Sequence, residues 1–169
     1  MKNTIKIVLL TLLIQSCKEK VEISSINPVN WEKRTIGFDF ADTLIKGTTY
    51  LSVYSQIYSQ TEHRTHDLTA TVSIRNVNKA DTIYINKAEY FDTKGNSIRI
   101  YFDKTIFIAP METVEIIIDE QDQEGGTGAN FLFDWTIMPN SNDPIFEAIM
   151  ISTSGQQGLS FTTQGKKIN

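Results

Sequence analysis

From residue 47 to the end, the chain alternates between apolar and polar positions. In Leu68-Thr69-Ala70-Thr71-Val72-Ser73-Ile74-Arg75 every second residue is apolar and those between are Thr, Ser and Arg. That is the pattern of a strand with one buried and one wet face. Similar runs lie at 82–91, 97–103, 112–119, 130–137, 145–153 and 159–164. In 130–137 the large residues Phe131, Phe133, Trp135 and Ile137 share one face, and Leu132, Asp134 and Thr136 the other. Turn chemistry separates the runs: Asp92-Thr93-Lys94-Gly95-Asn96, Ala109-Pro110, residues 76–81 and Ser154-Gly155-Gln156-Gln157-Gly158, with Gly free to take the positive φ of a tight hairpin. These signals predict an all-β antiparallel β-sandwich of about seven to nine strands over 47–169.

One stretch is ambiguous by period. Tyr50, Tyr54 and Tyr58 recur every fourth residue, as on a helix. The richness of 50–58 in Thr, Tyr, Val and Ile favours a strand. On that reading the three tyrosines share a face with Ser52 and Gln56.

The N-terminus follows a different rule. Lys2 and Lys6 precede the apolar run Ile7-Val8-Leu9-Leu10-Thr11-Leu12-Leu13-Ile14, which ends at Gln15-Ser16-Cys17. A permanent span needs roughly 20 apolar residues, so this shorter run reads as a signal peptide. Ile14-Gln15-Ser16-Cys17 resembles a lipobox. The resemblance implies cleavage before Cys17, a diacylglycerol on its thiol and a further acyl chain such as palmitate on its amine. Two or three chains make a stable anchor where one binds only marginally. Residues 1–16 are thus expected to be a lipoprotein signal peptide and 17–46 the lipidated Cys17 with a tether. The tether's distal part is expected to pack on the domain through Trp31, Phe38 or Phe40, the alternative being a first strand near Thr35–Phe40. Lys18, rather than the Asp that marks inner-membrane retention in some bacteria, follows the cysteine. The expected destination is a bacterial cell envelope, the outer membrane rather than the inner, reached by the general secretion route.

Composition adds two exclusions. The 169 residues carry 16 Lys+Arg against 20 Asp+Glu, a net charge of −4, which argues against nucleic acid as the partner. The signal segment holds two lysines and no acid, so its removal makes the chain more acidic. With Cys17 as the sole cysteine, neither an internal disulfide nor a Cys-based zinc site can form.

Several stretches together resemble a bacterial lipoprotein-type family, the domain of unknown function 3124. They are Val53-Tyr54-Ser55-Gln56-Ile57-Tyr58, Leu68 to Asn76, Tyr90-Phe91-Asp92 with Gly95, Gly125-Gly126-Thr127-Gly128-Ala129-Asn130-Phe131 with Trp135, Glu147-Ala148-Ile149-Met150, and Gly158-Leu159-Ser160-Phe161 with Gly165. The likeness covers about 47–165 and implies a small secreted or lipid-anchored domain with no assigned activity. Members often carry His where this chain has Gln56, so no metal role is carried to that position. The order of strand, Asn-containing turn, strand and Tyr-Phe-Asp hairpin is also similar to immunoglobulin-like sandwiches, a likeness of fold alone.

Three constellations could carry chemistry. His63 and His66, in Glu62-His63-Arg64-Thr65-His66-Asp67, have the ligand types for Zn, Cu or Ni. Arg64 opposes a cation there, and a solvated hairpin loop is the expected structure. Asp119, Glu120, Asp122 and Glu124 crowd one connection that runs into Gly125, Gly126 and Gly128. Hard cations such as Ca²⁺ want six to eight oxygen ligands, which a flexible acidic loop can supply. The other reading is a long connection with solvated acids and glycines at positive φ. Asp134, Trp135 and Asn130 with the Tyr50/Tyr54/Tyr58 face could line a sugar-binding surface; the competing reading is sandwich core. No Gly-x-Ser-x-Gly or Ser-His-Asp context supports nucleophilic catalysis, and nothing sets two carboxylates opposite each other as a glycosidase requires.

The expected role is a non-enzymatic envelope module, anchored through Cys17, that binds a protein or glycan partner by an edge strand or inter-strand loops. The alternative is a Ca-dependent glycan- or protein-binding module using the acidic glycine-rich loop 119–128, and Asn130 just beyond it is a further candidate binding residue. No resident cofactor is expected.

Overall fold

Alternation on this scale should yield sheets and no long helices. The computed structural model, which describes residues 29–37, 43–153 and 158–169, is built that way. Its strands are β1 (Ile45–Ser52), β2 (Gln56–Ser59), β3 (Thr61–Asp67), β4 (Thr69–Arg75), β5 (Ile83–Phe91), β6 (Ser97–Phe102), β7 (Ile106–Ile108), β8 (Thr113–Ile118), β9 (Asn130–Ile137), β10 (Ile145–Ser152), β11 (Leu159–Gln164) and β12 (Lys166–Lys167). All pairings are antiparallel. One sheet runs β12-β1-β9-β5-β6, with β7 also on β5, and the second runs β11-β10-β4-β8. A ribbon of β2 and β3 stands apart from both. The signal peptide, Cys17 and the tether up to residue 28 lie outside the described residues, as do Phe38 and Phe40.

Two strand pairs carry the immunoglobulin-like arrangement: β4 lies beside β8 in one sheet and β5 beside β9 in the other. These are the places of the second and fifth, and third and sixth, strands of that fold. The first strand and the one after β9 are exchanged between the sheets. Here β1 lies beside β9, and β10 beside β4.

The alternating faces meet as the core. Ala70, Val72 and Ile74 of β4, Phe131, Phe133, Trp135 and Ile137 of β9, and Phe146, Ala148 and Met150 of β10 are buried. In β5 the inward set is Ile83, Ile85, Ala88 and Tyr90. Its spacing slips by one residue because the register against β9 shifts between Ile85 and Lys87, as a bulge requires. An aromatic row crosses from sheet to sheet: Tyr90 to Phe131 at 4.7 Å, Phe131 to Phe133 at 5.2 Å and Phe133 to Phe146 at 4.5 Å between ring centroids.

Three expectations need correction. Among the described residues the strands number twelve rather than seven to nine, the additions being the β2–β3 ribbon and the very short β7 and β12. Residues 61–67 are a strand, not a loop. Residues 50–58 are not one strand, because the chain leaves β1 at Val53 to dock on another loop: Ser55 donates its N–H to the Gly126 carbonyl and its hydroxyl pairs with that of Tyr90. The tyrosines therefore part company. Tyr50 is on β1, Tyr54 packs against Phe161 with its ring tilted 59° to it, and Tyr58 projects from the ribbon.

Residues 29–36, at the far end of the expected tether, lie against the domain. Trp31 is buried with its ring 4.8 Å from that of Phe102, although its indole N–H finds no acceptor among the described residues. Thr35 bridges Ile106, and Ile36 donates its N–H to Thr105. Arg34 grips both carboxylate oxygens of Glu112, at 2.6 and 3.0 Å. The hydrogen bonds from Arg34 lead in holding the Glu112 carboxyl below its ordinary 4.5, against the opposing effect of burial. A carboxyl depressed on folding stabilises above its ordinary value and loses that contribution as the pH falls through the folded one. Below about pH 4.5 the strap is thus expected to loosen, shifting Trp31 emission to the red, and Glu112→Gln should flatten that transition. An unchanged transition in Glu112→Gln would show that this pair does not hold the strap.

Candidate functional site

The β8–β9 connection is where charge, glycine and aromatic side chains meet. Asp119 starts it with a turn, accepting the Gln121 N–H on its carboxylate and the Asp122 N–H on its carbonyl. That turn carries Asp122 inward, where its side chain is only 3% exposed. A buried carboxylate needs a cation, and β6 supplies it: Arg99 Nη1 donates to Asp122 Oδ2 at 2.9 Å. The other limb, Nη2, donates to Glu124 at 3.0 Å. Arg99 also donates to the Tyr101 hydroxyl, and its guanidinium lies 5.7 Å from that ring's centroid. Burial pushes the Tyr101 and Tyr90 phenols above their ordinary range, so both remain neutral hydroxyls, that of Tyr101 accepting from Arg99.

The glycines close the loop. A Cβ on Gly125 would collide with the Tyr90 hydroxyl, Ser55 and Ala129, and Gly126 sits at φ +70°. Thr93, from the β5–β6 turn, donates its hydroxyl to the Gly125 carbonyl and accepts the Gly128 N–H. Asp67 fastens the ribbon to the same loop, accepting from Gln56 at 2.7 Å and Gln123 at 2.9 Å.

The residues of the alternative calcium reading are thus dispersed. Asp122 and Glu124 converge on a guanidinium, Asp119 caps its own turn, and Glu120 is half-buried beside it. Asn130 opens β9 opposite Ser52 and Phe91. Arg99 was not legible as part of this cluster; the only local hint is the Arg99-x-Tyr101 alternation on one strand face.

The other constellations also separate. On strand β3, His63 and His66 are three apart and therefore face opposite ways. His63 is exposed beside Glu62, and His66 is half-buried opposite Ile57. Among the described residues no three His, Cys, Asp or Glu side chains are grouped to hold a metal. Trp135 is core, its indole N–H bonded to Thr49. It offers no stacking face to a sugar, while Asp134 beside it turns outward to accept the Thr48 hydroxyl.

Open space lies elsewhere. A cleft of about 350 Å³ between the ribbon and the start of β11 is lined by Ile57, Tyr58, Ser59, His66, Ser152 and Leu159. Tyr58 and Leu159 give it apolar walls and His66 a polar one, a mixture suited to recognition.

The model of a family described as Protein of unknown function (DUF3124) matches residues 46–168. Comparison with curated proteins gives no match. The crystal structure of Thermotoga maritima 1070 is similar at 9% identity over 71% of this chain and 92% of that one, with a TM-score of 0.45.

Proposed function

The chain belongs to the DUF3124 family of proteins of unknown function, and from that premise we propose that it is a lipid-anchored, non-enzymatic binding module of a bacterial cell envelope. The observation that carries the reading is the short apolar run 7–14 ending at the lone Cys17. Acyl chains on Cys17 hold the protein to the membrane, on the outer rather than the inner one, and residues 18–28 separate the anchor from the domain. The charge suits this, since the full chain's net −4 becomes more negative once Lys2 and Lys6 leave with the signal segment, which keeps the protein off a negative surface.

Support for binding rather than catalysis comes from where the charges go. Arg99 with Asp122 and Glu124, Arg34 with Glu112, and Lys87 with Glu89 brace loops and strand ends. The Tyr58 cleft and the inter-strand loops are left to meet a protein or glycan partner.

Cys17→Ala is expected to move the protein from the membrane to the soluble fraction, or leave it with an uncleaved signal peptide, and to abolish lipid labelling. Full labelling and membrane retention in that variant would overturn the anchor.

A further inference from the structure

An edge strand exposes a row of unpaired backbone groups, and folded proteins usually guard it with charge, bulges, short length or a covering segment. Three edges of the two larger sheets are guarded. β12 is two lysines long. β6 carries Arg99 and two register shifts against β5, and the neighbouring β7 is bridged by the 29–36 strap. β8 carries Glu115. The fourth edge, β11, is Leu-Ser-Phe-Thr-Thr-Gln: six residues with no charge, no proline and unbroken register on β10.

The direction of its free groups follows from one hydrogen bond. Gly165 donates its N–H to the Phe146 carbonyl at 2.8 Å, which continues the register of Gln164 on Glu147. Bonded and non-bonded pairs alternate along an antiparallel ladder. Thr163, Phe161 and Leu159 therefore bond to β10, while Ser160, Thr162 and Gln164 turn their N–H and C=O groups outward. No described residue pairs with them. The strand is held firmly in place for this: Phe161 packs on the core and Thr163 donates its hydroxyl to the Ser52 carbonyl.

We infer that this edge pairs with β11 of a second copy of the chain, antiparallel about a two-fold axis through Thr162, joining the two four-stranded sheets into one. The register is self-complementary, as an isologous contact must be. Thr162 faces its own equivalent and Ser160 faces Gln164, so all three outward pairs on each strand find partners. Hydroxyl and amide side chains then meet on the outer face, a favourable cross-strand pairing, beside Ile149 and Ile151, which are 42% and 43% exposed on the adjoining strand. On the inner face Phe161 meets Thr163, and Leu159 meets Gly165, which offers no side chain to clash. No like charges oppose each other along the strand, whose six residues carry none. The inference goes beyond the anchored-module reading, since pairing is read by cross-linked mass and anchoring by membrane fractionation.

The test uses the full chain in its own envelope, where the oxidising compartment permits disulfides. Opposed Thr162 Cα atoms would lie about 5.5 Å apart, inside the disulfide range of roughly 4.4–6.8 Å. Thr162→Cys is expected to give a reducible species of twice the monomer mass. The wild type, with Cys17 alone, and Lys79→Cys on an exposed loop should not give it. Thr162→Pro, which removes an outward N–H and leaves the β10 ladder intact, should abolish co-isolation of two differently tagged copies, while Thr162→Ala retains it. Cross-linking of Thr162→Cys no stronger than of Lys79→Cys, or cross-linking only to a polypeptide of another mass, would overturn self-pairing whatever the stability of the proline variant.

Discussion

Phe133→Ala is expected to destabilise the domain by about 3–5 kcal/mol, the range for removing a fully buried aromatic side chain. The ring is wholly enclosed and lies nearly coplanar in tilt with Phe131, 3° apart, and 19° from Phe146. Phe131 belongs to the same strand, whereas Phe146 belongs to the opposite sheet. Removing the ring therefore opens a cavity at the seam between the sheets, where relaxation would require both to move. Denaturant unfolding measures the loss directly. Phe161→Ala serves as the comparison, because that ring is only half-buried on edge strand β11 and should cost distinctly less. Equal losses in the two variants would mean that the aromatic row is not what joins the sheets.

That row was legible in the sequence because burial of one strand face forces period two. Phe131, Phe133, Trp135 and Ile137 fall on one face at that period, and β4, β10 and β11 announce themselves similarly. Pattern falls silent where neither face is buried. In Thr-Glu-His-Arg-Thr-His-Asp of β3 no apolar stripe exists, since five of its residues are exposed; the ribbon is held by its ladder to β2 and by Asp67. The four-residue recurrence of Tyr50, Tyr54 and Tyr58 misleads for the opposite reason. It spans a break set by Ser55 bonding to Gly126 and Tyr90, contacts 71 and 35 positions apart by residue number.

The acidic loop divides along the same line. Its glycines were readable as positive-φ positions because backbone freedom is a local property, and Gly126 takes that conformation. The reason for Gly125 is the approach of Tyr90 from another strand, which no local window contains. Arg99 is likewise 23 residues from Asp122, so four crowded carboxylates read as solvated acids or, alternatively, as a cation site, when two of them already had their cation. The cluster's identity as a latch was a tertiary fact.

Arg99→Met should therefore cost about 3 kcal/mol, as when one partner of a buried ion pair is removed and the other is left uncompensated. Methionine keeps the length and apolar stem, so the loss reports the missing charge. Asp122 retains only weaker support, its Oδ1 accepting the Glu124 N–H at 3.3 Å. Neutralising it as well, in Arg99→Met with Asp122→Asn, should recover part of the loss, because the desolvated charge and its unmet demand disappear together. Glu124→Gln should change stability by less than about 0.5 kcal/mol, since that carboxylate is 61% exposed and screened by water. Unfolding curves for these variants, and for Asp122→Asn alone, give the individual losses and the coupling of Arg99 to Asp122. An Arg99→Met loss as small as that of Glu124→Gln would show that the guanidinium does not hold the loop. If instead the double variant were less stable than the sum of the two single losses, the charges would not act as a pair. The predicted order places the weight of the latch on Asp122, the one carboxylate of the four that the fold has taken out of water.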